Sequence, residues 1–109
     1  MYQNQRVIKH FLEAICRVVS EGSSDTYAVM ILKKFNKEVS SEFPFVKDMH
    51  LYSNRIEVSE NINSVNKKAI GNYIKKLMNS LFSDLFKRLL KREIGIGLLE
   101  DLKEIGVRF

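Results

Sequence analysis

From Ala69 to Arg92 the chain repeats one pattern, two apolar residues followed by two polar ones: AIGN YIKK LMNS LFSD LFKR LLKR, with glycine counted among the polar. Residues four apart are neighbours on an α-helix, so the repeat reads as an amphipathic helix. Its period is not that of the helix. Each residue turns the chain by about 100°, so four residues advance about 400° and the apolar stripe rotates about 40° per tetrad. Five steps carry it roughly 200° around a straight axis. One flat surface cannot cover such a stripe. The helix must be wrapped by different elements along its length, or it must break. Asn79-Ser80 and Ser83-Asp84 are the expected breakpoints, because these residues cap helices well and sustain them poorly.

Length leads to the same choice. The helical pattern begins after the N-capping residues Asn61 to Ser64, and an unbroken helix from Ser64 to Arg92 would span about 43 Å. A chain of 109 residues folding as one domain has a radius of gyration near 13 Å, hence a diameter on the order of 35 Å. The excess would leave Leu and Phe side chains beyond the body of the domain. The stretch therefore predicts either a kink or a second protomer covering the overhang.

The remaining segments suit a single domain over residues 1–109. Val7, Ile8, Phe11, Leu12, Ile15 and Val19 recur at helical spacing and predict a helix over Asn4 to Ser20. Cys16 lies beside that stripe and reads as a small core residue. Gly22 and Ser23 or Ser24 supply a C-terminal cap and a new N-cap. Ala28, Ile31, Leu32, Phe35 and Val39 then predict a second helix of about four turns, ending before Pro44. From Phe45 the period shortens: Phe45, Met49 and Leu51 share one strand face, Tyr52 to Arg55 reads as a turn, and Ile56 and Val58 alternate with polar residues. This predicts a β-hairpin. Two strands alone are marginal in water, so the hairpin must lie on helices or add a strand, and its open edge offers a route to dimerisation. Ile94-Gly95-Ile96-Gly97 interrupts the long helical pattern. A short helix from Leu98 to Ile105 follows and stops at Gly106, with Val107 to Phe109 extended as a candidate third strand. The fold class is α+β, dominated by helix, in the order α-α-β-β-α-α, with the hairpin expected to pack on the long or kinked amphipathic helix.

Charge is unevenly distributed. The chain carries a net +5, but Lys67 to Arg92 holds eight basic residues and one acid, Asp84, so this segment is +7 and the rest sums to −2. An excess of this kind suits nucleic acid, an acidic protein or an anionic membrane surface, and equally a solvated helix face. On an ideal helix the pair Lys75-Lys76 and the pair Lys91-Arg92 stand about 160° apart, so they face nearly opposite sides. Lys87, Arg88, Lys91 and Arg92 form the coherent cluster, through i, i+4 neighbours. Cations near a helix C-terminus are also favoured by its dipole, which needs no ligand. Tyr73, Phe82 and Phe86 lie among the basic pairs, but in the apolar half of their tetrads, where core packing accounts for them.

Other chemistries find little to work with. The single cysteine rules out an internal disulfide. His10 and Glu13 stand at i and i+3 with no second such pair, short of the ligands a metal site needs. Gly95-Ile96-Gly97 lacks any phosphate-binding context and reads as a helix break. Glu100, Asp101 and Glu104 read as the polar face of the last helix. No nucleophile elbow, P-loop or dinucleotide fingerprint occurs, so neither a catalytic residue nor a cofactor is assigned. Lys9, His10, Glu13 and Arg17 interrupt the N-terminal apolar run and argue against a signal peptide. No run approaches the roughly 18 apolar residues of a bilayer span. The rotating stripe also spoils the single planar face that interfacial helices use. The expected setting is cytoplasmic. The first functional expectation is a non-enzymatic interaction or regulatory module that self-associates, as a homodimer, or binds another protein, through the hairpin edge or the tetrad helix. The alternative is a basic nucleic-acid-binding domain using Lys87, Arg88, Lys91 and Arg92, helped by Lys75 and Lys76.

Overall fold

The tetrad stretch is two helices. In the computed structural model, which describes residues 3–20, 25–53, 55–81 and 83–108, the elements run α1 (Asn4–Ser20), α2 (Asp25–Glu38), a 3-10 turn (Pro44–Asp48), β1 (Met49–Tyr52), β2 (Arg55–Val58), a second 3-10 turn (Glu60–Ser64), α3 (Lys67–Leu81) and α4 (Asp84–Glu104). The proposed caps at Gly22, Ser23 and Ser24 lie outside the described residues, as do Asn54, Phe82 and Phe109.

The break falls at one of the two expected places. Ser83 has extended backbone angles, and its Oγ accepts a hydrogen bond from the Phe86 N–H, capping α4. Asp84 in the first turn adds a negative charge where the helix dipole favours one. α3 and α4 are separate helices there, and the molecule measures 35 × 27 × 22 Å, with a radius of gyration of 12.8 Å. The 43 Å rod is avoided by folding it, so the overhang that called for a second protomer does not arise.

α4 is itself two segments. Gly95 takes φ 75 and ψ 170 inside it, a region open to glycine and costly for other residues. The helical run thus stops at Ile94 and resumes beyond Gly95, as the Ile-Gly-Ile-Gly sequence predicts. Its second segment ends in a Schellman motif. Gly106 has φ 88, the Val107 N–H donates to the Leu102 carbonyl and the Gly106 N–H to the Lys103 carbonyl. Val107 and Arg108 form no strand, so the candidate third strand is not made.

The core is one cluster. Val7, Ile8, Phe11, Leu12 and Ile15 of α1 are buried at its centre. Leu90, Ile94, Leu98 and Leu102 of α4 recur every four residues and are buried. α4 packs chiefly on α1, and the ion pairs Arg17–Glu93 (2.5 Å) and Arg6–Asp101 (3.6 Å) span the two helices. The hairpin is antiparallel, with Met49 opposite Val58 and Leu51 opposite Ile56. These four side chains are its buried face, turned to α1 and α2 rather than to the tetrad helices. The strand is shorter than the sequence suggests. Phe45 belongs to the 3-10 turn, where the only proline ends one element and φ is already fixed for the next.

Polar groups stitch the loops to this core. The buried Asn4 side chain donates to the carbonyls of Ile62 (3.0 Å) and Val65 (2.7 Å), closing the second 3-10 turn onto the start of α1. Tyr73 of α3 sits among three aromatic rings, Phe35, Phe43 and Phe45, with centroids 5.6–5.7 Å away. Its hydroxyl donates to Asn36 Oδ1. Burial pushes the Tyr73 phenol well above its ordinary value.

Candidate basic groove

Folding the tetrad stretch changes where its charges meet. α3 and the first segment of α4 are separate helices, and the turn that holds Ile105 and Gly106 comes back against Gly71 and Lys75 of α3. Between them lies a groove of about 510 Å³ lined by Lys75, Met78 and Asn79 of α3, Lys87, Arg88 and Lys91 of α4, and Gly106, Val107 and Arg108 of the C-terminal turn. Five of these nine are cations, and none is an acid or a histidine.

The fold corrects the expectation that these cations share no face. On one continuous helix Lys75 and Lys91 stand nearly opposite each other. With the helix broken at Ser83, Lys75 and Lys91 belong to two separate helices, and both line the same groove. Lys87, Arg88 and Lys91 lie on one face of α4 because three and four residues separate neighbours on a helix. Arg92 lies a further 100° round; it is exposed and does not line the groove. Lys76 stands off Lys75 by the same angle and is ion-paired with Glu42 instead. Of the six basic residues singled out in the sequence, four therefore meet in the groove and two do not.

Arg108 is the member the sequence reading misses. Its signal is weak but present: Gly106 ends α4, and a Schellman turn sends the next residues back across the helix end. What seats that turn on α3 is Gly71, the glycine of the first tetrad. A Cβ built there would lie 2.0 Å from the Ile105 carbonyl oxygen. Only a residue without a side chain lets backbone approach this closely. Within the groove Lys87 Nζ donates to Asn79 Oδ1 at 3.4 Å, a long hydrogen bond bridging α3 and α4. Lys67, at the start of α3, pairs with Glu104 across 3.1 Å, so the acid at the end of α4 is engaged outside the groove.

Two neighbouring features differ in kind. A second groove, of about 630 Å³, is mainly apolar and runs between α1, α2 and the α3–α4 junction, with Tyr27, Ile31, Leu81 and Phe86 on its walls. His10 and Glu13 border a shallow depression with Arg17 and the Gly97 region of α4. Among the described residues no three His, Cys, Asp or Glu side chains are grouped to hold a metal ion. Cys16 is half-buried and packs against the core. No described helix is long and apolar enough to cross a membrane.

Comparison with known protein families, with curated proteins and with solved structures returns no match.

Proposed function

We propose that this chain is a non-enzymatic nucleic-acid-binding module whose contact surface is the basic groove. One observation carries the reading: Lys75, Lys87, Arg88, Lys91 and Arg108, drawn from three separate elements, converge on one concave surface that no acid lines. A solvated helix face would scatter such charges and interleave acids with them. Like charges held close together repel unless an anion joins them, so convergence of this kind suits a polyanion. The helix-dipole explanation covers only part of the set. Lys91 sits near the end of the helical segment that stops before Gly95 and gains from the dipole. Lys75 is in the middle of α3, and Arg108 lies beyond α4, so neither does.

The groove supplies phosphate contacts and little that reads bases. Its uncharged walls are Met78, Asn79 and Val107, and no aromatic side chain lines it among the described residues. Phosphate contacts position a nucleic acid without specifying its sequence. The expected activity is therefore salt-sensitive, sequence-tolerant binding. Anisotropy titration of labelled oligonucleotides at 50 mM salt tests it: the native chain binds, and a variant with Lys75, Lys87, Arg88 and Lys91 all changed to Ala binds at least a hundredfold more weakly. Equal binding by the two proteins contradicts the proposal.

A second reading is self-association. It is favoured by the row Leu81, Leu85 and Leu89 at the α3–α4 junction, of which Leu85 is 65% exposed, and by a hairpin of only two strands. Exposed apolar rows beside an apolar groove mark interaction surfaces more often than solvent faces. Sedimentation equilibrium at micromolar concentration decides it: a dimer that Leu85→Lys dissociates supports this reading, and a strict monomer ends it. The two readings are compatible, because Leu81, Leu85 and Leu89 do not line the basic groove.

A further inference from the structure

Resting on the nucleic-acid reading, we infer that the basic groove takes a single strand in preference to a duplex. The reason is shape. Modules that read duplex DNA present cations on a protruding helix, which enters a major groove about 12 Å wide. Here cations of α4, Lys75 of α3 and Arg108 of the C-terminal turn line one cleft. The groove measures about 510 Å³, within the range of roughly 300–1,000 Å³ that encloses a drug-sized molecule. A flexible strand can lower one or two nucleotides into that space and bring their phosphates to both walls. A duplex is too broad and too stiff to do so, and could meet only the outer rim.

The chemistry of the walls agrees. Single-strand binders track the backbone with a basic groove, and many add aromatic side chains on which bases stack. Met78 and Val107 are the apolar part of this groove, and methionine adapts its shape to what it meets. Val107 is 1% and Met78 6% exposed, so they form its floor rather than its rim. Lys87 and Lys91, four residues apart on α4, give two cations at one-turn spacing, about 5–6 Å between their Cβ atoms. Lys75 faces them from the other wall. Without an aromatic platform among the described lining residues, the strand is held by charge and shape, and discrimination between bases is small.

The test is a parallel titration of the full chain with a labelled thymidine 12-mer, an RNA 12-mer of mixed sequence and a 12-base-pair DNA duplex, at 50 and 200 mM salt. The inference expects at least one single strand to bind tenfold or more tightly than the duplex. With up to five phosphate contacts, the log–log salt slope for the single strand should approach about −3.5. Lys75→Glu and Lys91→Glu should each weaken single-strand binding by tenfold or more, while Lys68→Glu, the same charge change on an exposed residue outside the groove, should weaken it less than threefold. Duplex binding equal to or tighter than single-strand binding overturns this inference and leaves the nucleic-acid reading standing. Absence of binding to all three at 50 mM salt overturns both. Equal losses from Lys68→Glu and Lys91→Glu show diffuse attraction and overturn the assignment of the groove.

Discussion

α3 and the first segment of α4 carry the same tetrad pattern and meet different fates. In the two central tetrads of α3 both apolar places are used: Tyr73 and Ile74, then Leu77 and Met78, are all buried. In α4 the two places part company. Leu85 and Leu89, in the first place, are 65% and 37% exposed, while Leu90, in the second, is fully buried. A stripe that rotates about 40° per tetrad cannot keep both places on one core. In α3 it is surrounded on several sides, by α1 and by the aromatic cluster of Phe35, Phe43 and Phe45. In α4 it has one large partner, α1, and only one row can face it. Sequence pattern therefore sets which residues are apolar and leaves to tertiary contacts which of them are covered.

The comparison breaks most directly at Leu77 and Leu85, which share the first place of their tetrads. Leu77→Ala should cost about 2–5 kcal/mol of stability in urea denaturation, as a fully buried leucine does. A loss under 1 kcal/mol would mean that α3 is not wrapped as described. Gly71→Ala comes next. The new methyl meets the Ile105 carbonyl, and because that carbonyl is backbone and cannot turn aside the cost should be about 1–3 kcal/mol. The same change should displace Arg108 and weaken oligonucleotide binding, which a purely global destabilisation would not do at temperatures where the variant stays folded.

Tyr73 sharpens the account of α3. Tyr73→Phe leaves Asn36 Oδ1 without its donor and should cost about 1–3 kcal/mol. It also has a pH signature. The folded state holds the phenol above its ordinary value of 10.0, so the unfolded chain loses this proton first. The contribution is fully present below pH 10 and declines as pH rises past that value. Denaturation midpoints measured between pH 8 and 11 should therefore fall more steeply in the native chain than in Tyr73→Phe. Ser83→Ala removes the cap that starts α4 and should cost about 1 kcal/mol. Leu85→Ala closes the series, with a change within about 0.5 kcal/mol in a monomer; a larger loss that grows with protein concentration would instead show Leu85 buried between copies.

Much of the fold is legible in the sequence because its signals are local. Helical spacing gives α1 and α2, Ser83 and Gly95 give the breaks, and Gly106 gives the end of α4. The extent of β1 is less so: Phe45 alternates with Met49 and Leu51 like a strand residue, and only the turn that follows Pro44 separates them. The site is half legible. Lys75, Lys87, Arg88 and Lys91 stand out as charges, but their meeting depends on how α4 is set against α3 after the break, which no spacing encodes. Arg108 is hidden further, since its place follows from a glycine in another helix. Lys76 and Arg92 look equivalent to their neighbours in sequence and are separated from them by a single 100° step.

The central claim is that a folded tetrad helix gathers its cations into one groove that holds a nucleic-acid strand. Amide chemical-shift mapping during titration with the thymidine 12-mer tests it most directly. The account predicts shifts concentrated at Lys75, Met78, Asn79, Lys87, Arg88, Lys91 and the turn from Gly106 to Arg108, with Lys67, Lys68 and the hairpin unmoved. Shifts spread evenly over all surface lysines, or centred on Leu85 and Leu89 with the groove silent, would contradict it.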